Sequence, residues 1–362
     1  MGTLNISAEV LRRAHEVAAG ISATVDARQI LTGRAALLGL TARGRVSAGS
    51  ATHLMQAADG WCALTLSRPD DIAAIPALLE VDDVTDPWPA IHRWVREQTV
   101  EHVTERAGLL DLPTATLGEA SATPPRITKS DNGIGPRLPA GLLVVDLTSM
   151  WAGPLCGQLL ARAGAVVVKV ESPLRPDGTR AGNQAFFDWM NSGKLSYAAD
   201  FTRDATALRR LLEAADVVLE GSRPAALQRR GLGAQDVAAR PGRVWLRVTG
   251  HGAHADRVAF GDDAAVAGGL VSRDADGPVF SGDAIADPLT GLAATAAVLA
   301  SLQRGGGEVI DLSMSAVAAQ YAAGSGAPLE PTLPPPAPPA AALGADNAAV
   351  QRLVAERLCA PC

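Results

Sequence analysis

LLVVDLTSMWAGPLCGQLLARAGAVVVKVE, residues 142–171, is the stretch that decides the fold. LLVVDL and AVVVKVE are short, mostly apolar runs rich in Val, the pattern of buried strands. Between them TSMWAGP reads as a loop, and residues 155–163 read as a helix. Two such strands around one helix form a βαβ unit, which makes the strands parallel. The alternation continues with a helix over 205–214, the strand DVVLE, a turn at Arg223-Pro224, a helix to Arg230, the strand RVWLRVTG and a last strand in EVIDLSM. Elements that alternate in this way predict an α/β fold: a Rossmann-like, doubly wound, mostly parallel sheet with its ligand at the carboxyl ends of the strands.

Upstream the pattern differs. Apolar residues at helical spacing predict two helices over 7–40, the second capped by Asp26. ADGWCALTL then gives a turn at Asp59-Gly60 and a strand, and helices are expected up to Leu79, over 88–97 and over 100–110. These elements make a smaller α+β domain. The expected organisation is N-terminal helices and the small domain over 1–125, a turn-rich linker over 126–140, the large domain over 141–325, a Pro-rich linker over 326–345 and a helix over 346–362.

Composition narrows the function classes. The chain has 362 residues, 48% of them hydrophobic, and a net charge of −6, with no Lys/Arg run interleaved with aromatics. A nucleic-acid partner is not expected. No apolar run approaches the roughly 20 residues that span a bilayer, and the first 16 residues lack the apolar segment of a signal peptide, so a cytoplasmic protein without membrane contact is expected. The terminal C-A-P-C ends in Cys359 and Cys362 and lacks a second ligand pair, and the six histidines form no ligand-spaced pair, so no metal is expected.

Local motifs exclude several nucleotide readings. The loop after the first strand has Gly153 and Gly157 but no G-x-G-x-x-G, and Gly193-Lys194 lacks the spacing of a phosphate loop. No G-x-S-x-G elbow occurs. One carboxylate stands out. In GDAIADPLTG, residues 282–291, Asp287 precedes Pro288 at the mouth of an Ala-rich helix, where it is expected as an N-cap with Pro288 at the first helical position. An ordinary cap is a sufficient explanation of those residues alone.

VVDLTSMWAGPLCGQLLARAGAVVVKVESPLRPDGTR, NSGKLSYAADF, ADVVLEGSRPAALQRRGL, VTGHGAHADRVAFGDDAAVAGG and GDAIADPLTG resemble, in that order, the successive motifs of the family III CoA-transferases, the family of formyl-CoA and carnitine CoA-transferases. The resemblance covers about 141–318. It implies a domain that binds coenzyme A as an acyl-CoA substrate, a small carboxylic acid as second substrate, a homodimer, and an aspartate nucleophile that falls on Asp287. A helix N-terminus would favour the ionised form of that carboxylate. The CoA contacts implied by the same motifs fall on Trp151, Ala152, Ser172, Asp200, Thr202, Gly221, Ser222, Arg223, Arg229, Phe260 and Gly261. Ser172 stands where an arginine is frequent in the family, so Arg175, Arg180, Arg223 or Arg229 is expected to supply charge for phosphate.

Three departures bear on function. The module at 45–120 resembles the family's small domain, which usually follows the large one; here it comes first. No Gly-rich loop of the kind seen in formyl-CoA transferase is present. The α-methylacyl-CoA racemases of the same family use a histidine base that would fall near Gly261, whereas His251 and His254 lie upstream and read as loop residues. CoA transfer is therefore the expected activity, with a racemase-like isomerase and a non-catalytic CoA-binding protein as alternatives.

Overall fold

The computed structural model describes residues 2–223, 226–252, 256–322, 324 and 326–359. Strand β1 (Leu4–Ile6) leads into helices α1 (Ala8–Ile21) and α2 (Ala27–Leu38), and Asp26 caps α2 through the N–H groups of Arg28 and Gln29. Next come β2 (Thr52–Gln56) and β3 (Trp61–Thr65), the short helices α3 (Pro69–Ala73) and α4 (Ile75–Leu79), the helices α5 (Pro87–Glu97) and α6 (Val100–Leu109), and β4 (Thr114–Thr116). Strands β2, β3 and β4 form an antiparallel sheet with its own apolar core, in which Leu64, Leu78, Ile91 and Val103 are fully buried.

The large sheet begins with β5 (Arg126–Lys129), β6 (Leu143–Leu147), α7 (Ala152–Arg162), β7 (Val166–Glu171), α8 (Gln184–Asn191), β8 (Leu195–Ala198), α9 (Ala205–Ala214), β9 (Val217–Glu220) and β10 (Val244–Thr249). It is completed by α10 (Gly261–Ala267), the hairpin β11 (Val271–Asp274) and β12 (Gly277–Phe280), α11 (Ala286–Gln303), β13 (Glu308–Ser313) and α12 (Met314–Gln320). Strand β14 (Ala327–Leu329) and helix α13 (Asn347–Cys359) end the chain. The strand order is β5-β13-β10-β9-β6-β7-β8. All pairs are parallel except β5 with β13. Numbered from β6, the six parallel strands lie in the order 3-2-1-4-5-6, so the direction of winding reverses between β6 and β9. A crevice at the carboxyl ends of those two strands is where such sheets take a ligand.

The faces follow from strand periodicity. Val144 and Leu246 point into one core with α1, α2, α7 and α11, while Leu143, Val145 and Trp245 point into the other with α9 and α13. Three sequence expectations change. The segment 126–140, expected as a linker, starts with edge strand β5; its four residues are all exposed, so no apolar alternation marked it. Within 326–345, β14 pairs antiparallel with β1 and ties the two ends of the chain together. Helices α1 and α2 share the core of the large sheet, not that of the small one, although they were expected within a 1–125 unit.

Candidate functional site

Asp287 is the second residue of α11, not its cap. Gly282 and Ala284 take φ values of 69° and 42°, which turns the chain before the helix and makes Ile285 the N-cap, without a side-chain bond. The expected start is thus displaced by two residues. Pro288 falls third in the helix, still in the first turn, where a missing N–H breaks no intrahelical bond.

Asp287 lies toward Ala152, the first residue of α7, whose N–H favours its ionised form. Toward α10 it is closed off by Gly261, where a Cβ would lie 2.4 Å from Asp287 Oδ2 and 2.3 Å from the Ala284 carbonyl oxygen. Gly291 allows α11 to lie on α7, since a Cβ there would meet Leu155 Cδ2 at 2.6 Å. Gly261→Ala is expected to cost about 1–3 kcal/mol by forcing α10 and Asp287 apart. An unchanged urea-unfolding midpoint would show that the contact has slack.

Three carboxylates and one guanidinium meet here. Arg34 of α2 donates through Nη1 to Asp283 Oδ1 at 2.6 Å, and its guanidinium lies 5.6 Å from the Trp151 ring centre and 5.8 Å from that of Phe186. Asp262 Oδ1 accepts the N–H of Ala284 at 2.9 Å. Asp287 is only partly shielded from solvent at its surface, yet protein surrounds it closely. Burial therefore pushes its pKa up to about 7; Arg34 opposes the rise, while Asp262 and Asp283 add to it. Burial, with Asp283 nearby, raises Asp262 to about 6, and burial raises Asp283 against the pull of Arg34. Against the anion that a helix terminus favours, desolvation and two neighbouring acids act in the opposite direction.

Asp263 anchors this wall to the small sheet. It accepts the N–H of Phe260 at 3.0 Å and the Thr65 hydroxyl at 2.9 Å. The loop after β6 is braced from beneath by buried ion pairs. Lys194 Nζ donates to Asp146 at 2.9 Å, to the Pro154 carbonyl at 2.8 Å and to Asn191 Oδ1 at 3.0 Å. Lys169 Nζ reaches Asp177 at 2.8 Å and the Thr148 carbonyl at 3.1 Å, and Asp177 accepts the N–H of Met150, whose φ is 73°.

The structure brings some expected contact residues together and separates others. Trp151 and Ala152 end the loop after β6, and Gly221 and Ser222 follow β9 across the crevice; a Cβ on Gly221 would lie 3.3 Å from Thr148 Cγ2. Gly261, the first residue of α10, borders Asp287, and Phe260 precedes it as the N-cap. Ser172 follows β7 and bridges to Arg175. Asp200 and Thr202 follow β8, the outermost parallel strand. The Asp200 carboxylate is engaged by the N–H groups of Arg203 and Thr202, which lower its pKa, so it closes its own turn. Arg223 is exposed and pairs with Asp111 of the small domain at 3.0 Å, and Arg229 is exposed on a short helical turn. Arg180 is committed to Glu171 at 2.6 Å and lies over Phe187.

His251 is buried 4.0 Å from Glu119, and burial, with Arg257 nearby, lowers its pKa to about 4. His254 and Cys362 lie outside the described residues. A cavity of about 140 Å³ opens beside Ser313 and Asp311, and none of the expected contact residues lines it. Among the described residues no group of three or more His, Cys, Asp and Glu is arranged to hold a metal, and no helix is long and apolar enough to cross a membrane. Arg34, Asp262 and Asp283 were not found from sequence. The signal available for the two acids was a charge in an otherwise apolar run; Arg34 carries none.

Comparison with known proteins bears directly on this arrangement. The sequence model of CoA-transferase family III matches residues 140–333, more than half of the chain. The chain belongs to CoA-transferase family III. Among the relatives of this family III member is the succinyl-CoA–D-citramalate CoA-transferase of Chloroflexus aurantiacus, 33% identical over 191 residues, which cover 47% of this chain and 48% of that protein. The succinate–glutarate CoA-transferase of Agrobacterium fabrum is 32% identical over 201 residues, 48% of this chain and 50% of that one. A solved CaiB/BaiF family protein from Brucella suis is 32% identical, with a TM-score of 0.47 over 51% of this chain and 55% of that chain. The chain spans about half the length of the curated relatives it matches.

Proposed function

We propose that this protein transfers CoA from an acyl-CoA thioester to a free carboxylate, with Asp287 as nucleophile. The observation that carries this reading is the close packing of the first turns of α11 on the start of α7, where a Cβ on Gly291 would lie 2.9 Å from the Ala152 carbonyl oxygen, with Asp287 one turn earlier on the same helix and the crevice between β6 and β9 beside it. In the deprotonated form an Asp287 oxygen attacks the thioester carbonyl carbon. The C–S bond breaks, CoA leaves as thiolate, and an acyl-aspartyl anhydride remains. The thiolate then attacks the aspartyl carbonyl carbon, which releases the donor's carboxylate and leaves an aspartyl-CoA thioester. The acceptor carboxylate repeats the two steps in reverse: it displaces the thiolate to form a second anhydride, and the thiolate attacks its acyl carbon to give the new acyl-CoA and free Asp287. Electrons and atoms balance without an external reductant or proton source. Trp151, Ala152, Gly221, Ser222, Phe260 and Gly261 are the residues proposed to border the bound CoA.

The tight contact at Gly261 argues against the isomerase alternative. A histidine there would overlap Asp287 and the Ala284 carbonyl. The homodimer implied by family resemblance belongs to the same proposal and is read from solution mass.

The test is a scan of acyl-CoA donors in the presence of hydroxylamine, followed by peptide mass spectrometry. An activated aspartyl ester is trapped as the hydroxamate, so at least one donor is expected to label Asp287. Absence of label with every donor, together with measurable CoA binding, would select a non-catalytic CoA-binding protein. Racemisation of a 2-methylacyl-CoA with solvent deuterium incorporated would select the isomerase.

A further inference from the structure

We propose that Arg34, on a helix that precedes the large sheet in sequence and packs into its core, is the residue that sets the charge of Asp287, acting through that carboxylate to hold it in its attacking form. The inference deepens the reading of Asp287 as nucleophile and rests on it. Its basis is geometric. Arg34 occupies the angle between the starts of α7 and α11: Nη1 is bonded to Asp283, four residues before Asp287, and the guanidinium faces the ring of Trp151, the N-cap of α7.

The charge balance there is unfavourable for an anion. The ionisable groups that bear on Asp287 are Arg34 from α2, Asp262 from α10 and Asp283 from the turn before α11. Asp283 is fully buried and its Oδ2 has no hydrogen-bond partner, so among the described residues Arg34 is what its carboxylate leans on. One guanidinium thus serves three acids. Without it, closely packed carboxylates can ionise only one at a time, because like charges in a desolvated site disfavour each other's charged forms. The aromatic faces of Trp151 and Phe186 hold the cation in place while leaving it planar and undivided, a role a lysine fills less well but with the same charge.

The experiment titrates Asp287 itself. In protein labelled with ¹³C at aspartate carboxyls, the Asp287 signal is assigned as the one missing from Asp287→Asn. Its midpoint is expected near 7 in the wild type. Arg34→Gln is expected to raise it by at least about one pH unit, a tenfold change in the proton affinity, and Arg34→Lys to keep it within about half a unit. The pH profile of hydroxamate formation on Asp287 is expected to move by the same amount and to recover its rate at high pH, which a loss of structure would not do. Asp283→Asn supplies the opposite sign: with one repulsive acid gone and the guanidinium freed, the midpoint is expected to fall. That variant decides the matter if Arg34→Gln does not fold. An unmoved midpoint in Arg34→Gln, or a raised one in Asp283→Asn, overturns the proposal. Shifts as expected, in a wild type that forms no hydroxamate with any donor, would refute the transferase reading and leave the role of Arg34 standing.

Discussion

Asp287→Asn is expected to lower CoA exchange between an acyl-CoA and a free carboxylate by at least about 10³-fold, while the protein remains folded. The size follows from the role: when a covalent nucleophile is removed, both halves of the exchange lose their intermediate, and what survives is the rate supplied by binding alone. The amide is nearly isosteric with the acid and keeps the packing of residue 287 against Gly261. It also removes a group that burial and two neighbouring acids make costly to ionise. Thermal unfolding near pH 8 is therefore expected at the wild-type temperature or above it, because there the wild type carries the buried anion and the variant does not. An exchange rate within about tenfold of the wild type would remove Asp287 from the mechanism.

The same residue shows where sequence reasoning reached and where it stopped. Strands β6, β7, β9, β10 and β13 were legible because each centres on a short run of Val, Leu, Ile or Trp that is largely buried, and their alternation with helices gave the parallel sheet. Strand β8, LSYA, and the hairpin β11–β12 are four-residue pieces of mixed polarity whose pairing comes from tertiary contacts, so no period marked them. Asp287 was legible as a carboxylate at a helix start. Its place inside the first turn instead of at the cap was not, because the turn that moves the start of α11 depends on the positive φ of Ala284, a residue with no preference for that region.

The electrostatics of the site were least legible. Arg34 lies on an amphipathic helix near the N-terminus, Asp262 on α10 and Asp283 before α11, and only the packing of α2 against α8 and α11 brings them to one point. A helix N-terminus in isolation favours an anion. Inside this cluster the sign of the net effect is reversed, and nothing local to GDAIADPLTG carries that information. Helix α2 precedes the sheet in sequence but completes the wall of the candidate site in space, so the N-terminal segment is part of that site.

The second large effect concerns the platform beneath the site. Lys194 and Asp146 are both almost fully buried, and their ion pair supports the loop that presents Trp151 and Ala152. Burial alone would raise the pKa of Asp146, but Lys194, Lys169 and the Thr148 hydroxyl hold it below the usual carboxylate range. Burial pulls the pKa of Lys194 down, and the Asp146 carboxylate opposes that pull. Lys194→Met leaves an uncompensated buried carboxylate and an unsatisfied Pro154 carbonyl, and is expected to destabilise the fold by about 3–5 kcal/mol. The loss should be mostly that of the stranded charge and not of the pair as such. Adding Asp146→Asn to Lys194→Met is then expected to restore at least about half of the stability, since a neutral amide needs no counterion. Urea denaturation of both single variants and the double variant closes the cycle. A double variant that merely sums the two single losses would show that Lys194 and Asp146 act independently, and that the loop is held by the backbone contacts of Lys194 alone.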